Sequence, residues 1–117
     1  QGNKVVIIPS ENFPLPALNM YQIFDTSDLP GGVVNIVTGK HIEVIHTLSE
    51  HMSVEGIWHF GNRVYNKSID IASTSNLKQT WIMNSNHIDW LEKNNSMDKE
   101  LLRKSTQIKN IWVPYGE

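Results

Sequence analysis

Nucleophilic catalysis through sulfur is closed to this chain, because its 117 residues include no cysteine to supply a thiolate. The next candidates are the histidines. His41, His46 and His51 recur every five residues, and five residues of helix turn a side chain by about 140°. Successive imidazoles therefore leave any shared face, which excludes a helical metal site and predicts solvated histidines. Asp89, Glu92, Asp98 and Glu100 are carboxylates close enough in sequence for paired acid–base work. Their polar surroundings predict instead a solvated face or a charge bias at a helix N-terminus. Asn66-Lys67-Ser68 and Asn94-Asn95-Ser96 are sequons that matter only in a secreted protein. Four tryptophans complete the unusual side chains: Trp58 and Trp81 are expected in the core, Trp90 and Trp112 as candidates for exposed anchors in a contact surface.

Ten Lys and Arg against 12 Asp and Glu give a formal charge of -2, and the basic residues gather only loosely, at Lys99, Arg103, Lys104 and Lys109. That leaves no electrostatic footprint for nucleic acid. Apolar runs such as Val5 to Ile8 fall far short of the roughly 18 to 20 residues that cross a bilayer, so no membrane span is expected. At 39% apolar composition the chain can build one small core. The absence of cysteine and of a targeting-like segment before Gln1 makes a cytoplasmic setting the expectation. The chain begins without Met inside a strand-like pattern, which suggests a piece of a longer protein.

Short β-branched runs alternate with amphipathic stretches. Lys4 to Ile8, closed by Pro9, reads as a buried strand. Pro14 and Pro16 stand where a helix begins, and Ala17, Met20, Tyr21 and Phe24 form one apolar helix face ending near Asp25 to Ser27. Leu29-Pro30-Gly31-Gly32 is a turn, Val33 to Val37 a second strand, and Gly39 frees the bend before a helix carrying Ile42, Ile45 and Leu48. Gly56 to Phe60 predicts a third strand, Tyr65, Ile69 and Ala72 the face of a helix, and Thr80 to Met83 a fourth strand. Asn84 to Ser96 reads as polar loop with a turn around Asp89 to Leu91; Met97 and Leu101 suit a short helix, and Ile108 to Val113 a last strand before Pro114. Strands separated by helix-sized segments imply parallel crossover units, hence an α/β fold with helices packed on a parallel sheet in three layers.

Several of these segments together resemble the aldehyde dehydrogenase superfamily. Asn3 to Glu11 followed by Pro14-Leu15 is similar to its strand-then-KPSE segment, Leu29 to Gly39 to its LPPGVVNVVTG segment, and Asn76-Leu77-Lys78 to the NLK before its catalytic glutamate. Ile57 to Gly61, Asn76 to Trp81 and the ending Ile111 to Glu117 resemble, more narrowly, the truncated second module at the C-terminus of family-16 members. The resemblance implies a Rossmann-like partial cofactor-binding fold over residues 1–86, a polar loop and short helix over 87–106, and an oligomerisation-type strand over 107–117.

Carried over position by position, the resemblance implies a vestigial cofactor site. The family lysine that bonds the adenine ribose falls at Ile8, which has no donor, while Glu11 stands where the ribose-contacting glutamate would be. Two glycines of the dinucleotide turn correspond to His41 and Ile45, whose side chains would crowd the adenosine. The FTGS phosphate turn corresponds to His59-Phe60-Gly61-Asn62, with Gly61 retained and Asn62 placed to cap a helix and offer an amide to an anion. If bulky residues fill the vacated cleft, Phe60 is substantially buried. The general-base glutamate corresponds to Met83, which cannot take a proton, and the glycines after it to Ser85 and Asn86. Nothing downstream resembles the domain that carries the nucleophile.

The leading reading is a non-catalytic pseudo-domain that serves as a structural or assembly module, with no cofactor. Its partner would be an upstream aldehyde dehydrogenase domain of the same parent chain or a second subunit, in a homo-oligomer of the parent, contacted through Ile108, Ile111, Trp112 and Val113. The alternatives are a degenerate NAD(P)-binding part of an active aldehyde dehydrogenase, with NAD as cofactor, and a regulatory pocket for another nucleotide. For the last segment the competing reading is an ordinary edge strand of the domain's own sheet.

Overall fold

The computed structural model describes residues 2–83 and 97–116, which fall into two separate compact units. In the larger unit, strand β1 (Val5–Ile7) is followed by helix α1 (Leu15–Asp25) and strand β2 (Val34–Ile36). Helix α2 (His41–Glu50) leads to strand β3 (Gly56–His59); a 3-10 turn (Arg63–Tyr65), helix α3 (Asn66–Ser73) and a second 3-10 turn (Thr74–Asn76) lead to strand β4 (Gln79–Ile82). The smaller unit holds helix α4 (Met97–Lys104).

The fold is α/β with parallel strands, as the alternation of runs implies. β1 pairs with β2 in parallel, Val5 opposite Val34 and Ile7 opposite Ile36. β3 pairs with β4 in the same sense, Gly56 opposite Gln79 and His59 opposite Ile82. These are two separate two-stranded ladders, each closed by a helical crossover, because a parallel pair cannot be joined by a tight turn.

Local chemistry sets the boundaries. Pro14 precedes α1 and Pro16 lies in its first turn, where a missing N–H breaks no helical bond. The helix ends where the Thr26 hydroxyl donates to the Gln22 carbonyl at 2.8 Å and the Ser27 hydroxyl to that of Phe24 at 2.9 Å, diverting the last carbonyls to side chains. Gly32 adopts φ +81 in the following turn, which the Val33 N–H closes onto the Pro30 carbonyl.

Among the described residues the apolar core is small. Ile69 on α3 and Trp81 on β4 are its buried side chains, at 1% and 7% exposure. Edge-to-face rings extend it: Trp81 lies 5.1 Å from Trp58 and 5.2 Å from Phe60. α2 packs on α3, and each helix carries a buried serine, Ser49 and Ser73.

Four expectations are corrected. β1 is not a buried strand: Val5 and Val6 are exposed, because two short strands leave much of their apolar surface uncovered. On α1 only Ala17 and Phe24 are half-buried, while Met20 and Tyr21 face solvent. Trp58 is partly exposed and flanks the core instead of filling it. Residues 107–116 form no strand and are exposed throughout, Trp112 at 92%. An extended segment becomes a strand only when a ladder satisfies its N–H and C=O groups. The loop read over Asn84 to Ser96, with Ser85, Asn86, Asp89, Trp90, Glu92 and Asn94, lies outside the described residues.

Candidate functional site

In open parallel α/β folds the loops at the carboxyl ends of the strands are where ligands bind. The residues singled out from the sequence gather there. Beyond β1 the chain passes through the half-buried Ile8 and Pro9 to Glu11; beyond β2 it bends at Gly39 into α2, which begins at His41. The Glu11 carboxylate accepts from the His41 backbone N–H at 3.2 Å, so it caps a free donor at the start of α2. The His41 ring turns back to the β1 end, its Nε2 2.8 Å from the Pro9 carbonyl. A carbonyl only accepts, so that nitrogen carries the proton and donates. Glu11 and His41 thus tie the loop after β1 to the helix after β2. Ile45 lies one turn along α2, half-buried.

The turn after β3 is closed in a similar way. His59 folds back so that a Cβ placed on Gly61 would stand 2.8 Å from its Cε1. The His59 Nε2 donates to the Asn62 carbonyl at 3.1 Å, and the ring meets Tyr65 edge-on at 6.2 Å. Asn62 caps the following helical turn as expected, its side-chain oxygen accepting from the Val64 N–H at 3.0 Å. Phe60 is half-buried against Trp81 and Trp58, less enclosed than a cleft-filling side chain would be. Met83 follows β4 directly, its N–H donating to the His59 carbonyl at 2.9 Å. The structure thereby brings Met83 beside the closed turn. A thioether there accepts hydrogen bonds weakly and moves no proton.

Other candidates disperse. His46 pairs with Glu50 at 3.4 Å on the exposed side of α2, and the His51 Nδ1 accepts from the Ser53 N–H. Among the described residues no three His, Asp or Glu converge on a metal position. Asn66 of the first sequon is half-buried with its side-chain oxygen enclosed, and Glu100 is exposed on α4.

One constellation was not read from the sequence. The Asn76 amide donates to the carbonyls of Met52 at 2.9 Å and Val54 at 3.1 Å. The Lys78 ammonium, on a side chain only 7% exposed, donates to the His51 carbonyl at 2.9 Å. Leu77 between them takes the left-handed conformation, φ +55, which sends its neighbours to the same loop. Asn76 and Lys78 therefore clamp the connection from α2 into β3. The sequence signal for it is Asn76-Leu77-Lys78, a run that also resembles the family pattern. Beside this clamp an open cavity of about 250 Å³ is lined by Asp70, Ser73, Thr74, Leu77, Lys78 and Thr80.

The sequence profile of the aldehyde dehydrogenase family matches residues 1–84. The chain belongs to that family. It is 35% identical over 82 residues to the NADP/NAD-dependent aldehyde dehydrogenase PuuC of Escherichia coli strain K12, covering 69% of this chain and 17% of that protein. An aldehyde dehydrogenase of Agaricus bisporus is 36% identical over 78 residues, covering 66% and 16%. Among solved structures, PnpE from Pseudomonas sp. WBC-3 superposes with a TM-score of 0.67 at 36% identity, over 71% of this chain and 17% of that one. PnpE has also been crystallised with nicotinamide adenine dinucleotide. The aldehyde dehydrogenase of Bartonella henselae superposes with a TM-score of 0.66 at 32% identity, covering 69% and 17%. The chain thus spans 16–17% of the length of these relatives.

Proposed function

We propose that this segment is a non-catalytic, family-16-like module of a larger cytoplasmic aldehyde dehydrogenase-family protein, serving structure and assembly. The observation that carries the reading is the His59 ring laid over Gly61. With Asn62 capping the Val64 N–H, the turn that would cradle a pyrophosphate is occupied by its own side chains. Glu11 is likewise engaged by the His41 N–H, and Ile8 offers no donor to a ribose. These residues do not fit a dinucleotide, so no step is routed through one. The test is calorimetric titration of the protein with NAD. The expected Kd is weaker than about 1 mM, and micromolar binding would sink the reading.

Assembly is assigned to residues 107–116. Ile108, Ile111, Trp112 and Val113 are all exposed, and Trp112 is suited to anchor the segment as an added strand on a sheet edge of an upstream domain or a second subunit. Deleting 107–117 from the full-length parent is expected to lower its mass in solution, measured by sedimentation; unchanged assembly refutes the assignment.

A second reading keeps the segment as the NAD(P)-binding part of an active enzyme that oxidises aldehydes. Its support is the NAD complex of PnpE, together with the retained Glu11 and Gly61. In the same titration it requires saturable NAD binding, whereas a regulatory nucleotide pocket requires saturation by ADP or AMP instead.

A further inference from the structure

The cavity beside the Asn76–Lys78 clamp lies at the opposite end of β4 from the closed turn. Lys78 and Thr80 flank the first residue of the strand, whereas Met83 follows its last. At roughly 3.3 Å per residue of extended chain, Lys78 and Met83 stand about 16 Å apart. The cavity is therefore separate from the turn that carries His59 and Gly61.

Two groups on its walls have unmet bonding. Lys78 is 7% exposed, and its ammonium has three donors. One goes to the His51 carbonyl at 2.9 Å, and no carboxylate pairs with the ammonium among the described residues. Ser73 is 3% exposed and lines the same cavity, its hydroxyl oxygen enclosed without a partner. A cation and a hydroxyl held away from water in this way favour an acceptor that brings negative charge.

The cavity also carries the other sign. Asp70 adds an exposed carboxylate, and α3 ends at Ser73, which puts the negative end of its dipole nearby. Thr74 supplies no free donor there, since its hydroxyl is held by the Ile71 carbonyl at 2.7 Å. A simple anion would satisfy Lys78 and be repelled by Asp70, and a simple cation would meet the reverse. A molecule bearing both charges satisfies both. The volume of about 250 Å³ lies below the roughly 300 to 1,000 Å³ of pockets for drug-sized ligands, so the occupant has few heavy atoms. We infer that this cavity binds a small zwitterionic amino acid, its carboxylate on Lys78 and Ser73 and its ammonium toward Asp70. Leu77 also lines the cavity and gives apolar contact to the carbon between the two charges. The inference goes beyond the module reading and stands whichever way the NAD titration falls.

The test is hydrogen exchange, read by mass spectrometry, on the full-length parent. Glycine and β-alanine are the probes, as two spacings of the charges, with acetate and ethylamine as single-charge controls. Each amino acid is expected to bind with a Kd on the order of 1 mM, as suits a ligand of few heavy atoms. At about ten times that concentration, exchange across residues 70–80 is expected to slow about tenfold, as for a ligand that binds only the closed form. Acetate and ethylamine are expected to change it by less than about twofold. Lys78→Met removes the cation and is expected to abolish the protection. Because that change also cuts into the clamp, Asp70→Asn at an exposed position serves as the second variant. It is expected to weaken the amino acids about tenfold and to let acetate protect as well as they do. No protection over 70–80 by either amino acid overturns the inference, as does acetate protection equal to theirs in the unsubstituted parent. Protection that survives Lys78→Met also overturns it, since the probe then sits elsewhere in the parent.

Discussion

The larger unit contains the same motif twice, a strand, a helical crossover and a parallel strand, and the two copies are held in different ways. In the second, α3 places Ile69 inward, β4 contributes Trp81, and the Trp58 and Phe60 rings close on it edge-to-face. α2 packs against α3, and the Asn76–Lys78 clamp holds the entry to β3. In the first, β1 and α1 leave Val5, Val6, Leu15 and Ile23 exposed, and a polar Glu11–His41–Pro9 link ties the loop after β1 to α2. The lesson is that a crossover unit becomes self-sufficient only when a second layer covers its apolar face. The first copy has the right sequence pattern, and the described residues leave much of its apolar face uncovered.

The contrast is sharpest for a core truncation. Trp81→Ala is expected to destabilise the larger unit by about 3 to 5 kcal/mol through lost burial and a residual cavity, whereas Val6→Ala stays within about 0.5 kcal/mol. Both are read from urea unfolding midpoints, and similar losses at the two positions would erase the difference between the copies. A smaller effect is expected at the closed turn. Gly61→Ala places a methyl against the His59 ring and is expected to cost about 1 to 3 kcal/mol. Most of that loss should return in the Gly61→Ala, His59→Ala double variant, because removing the ring makes room for the methyl. A double-mutant cycle with no coupling would mean that the ring does not lie over Gly61. The clamp ranks lowest: Asn76→Ala removes donors to two carbonyls and is expected to cost about 1 to 2 kcal/mol. Hydrogen exchange should show the loss concentrated over residues 51–59. A uniform change across both copies would make Asn76 a general core residue and blunt the comparison.

The elements themselves were legible because they follow local rules. Three- and four-residue apolar spacing marked α1 and α3, β-branched runs marked the strands, and the Pro-Gly-Gly turn divided them. The capping role of Asn62 was legible too, since an Asn before a helical turn supplies the missing acceptor from its own side chain. The Glu11–His41 link and the Asn76–Lys78 clamp were not legible. Each joins residues more than twenty positions apart, and nothing local announces which carbonyl will face which donor. Phe60 shows the limit for packing: its position in the turn was read from the family pattern, but its half-burial depends on where the Trp58 and Trp81 rings settle.

Two facts were decided by the sequence alone. Without cysteine, and with a thioether at Met83, no arrangement of this chain supplies a thiolate nucleophile or a titrating group at position 83. Tertiary structure decided the rest: that His59 lies over Gly61, that Lys78 is buried beneath the α2–β3 connection, and that residues 107–116 form no strand. Side-chain chemistry is a property of each residue, whereas burial and strand pairing depend on partners brought from elsewhere. Ile108 to Val113 has a strand-like composition, but only a partner's N–H and C=O groups can make it a strand.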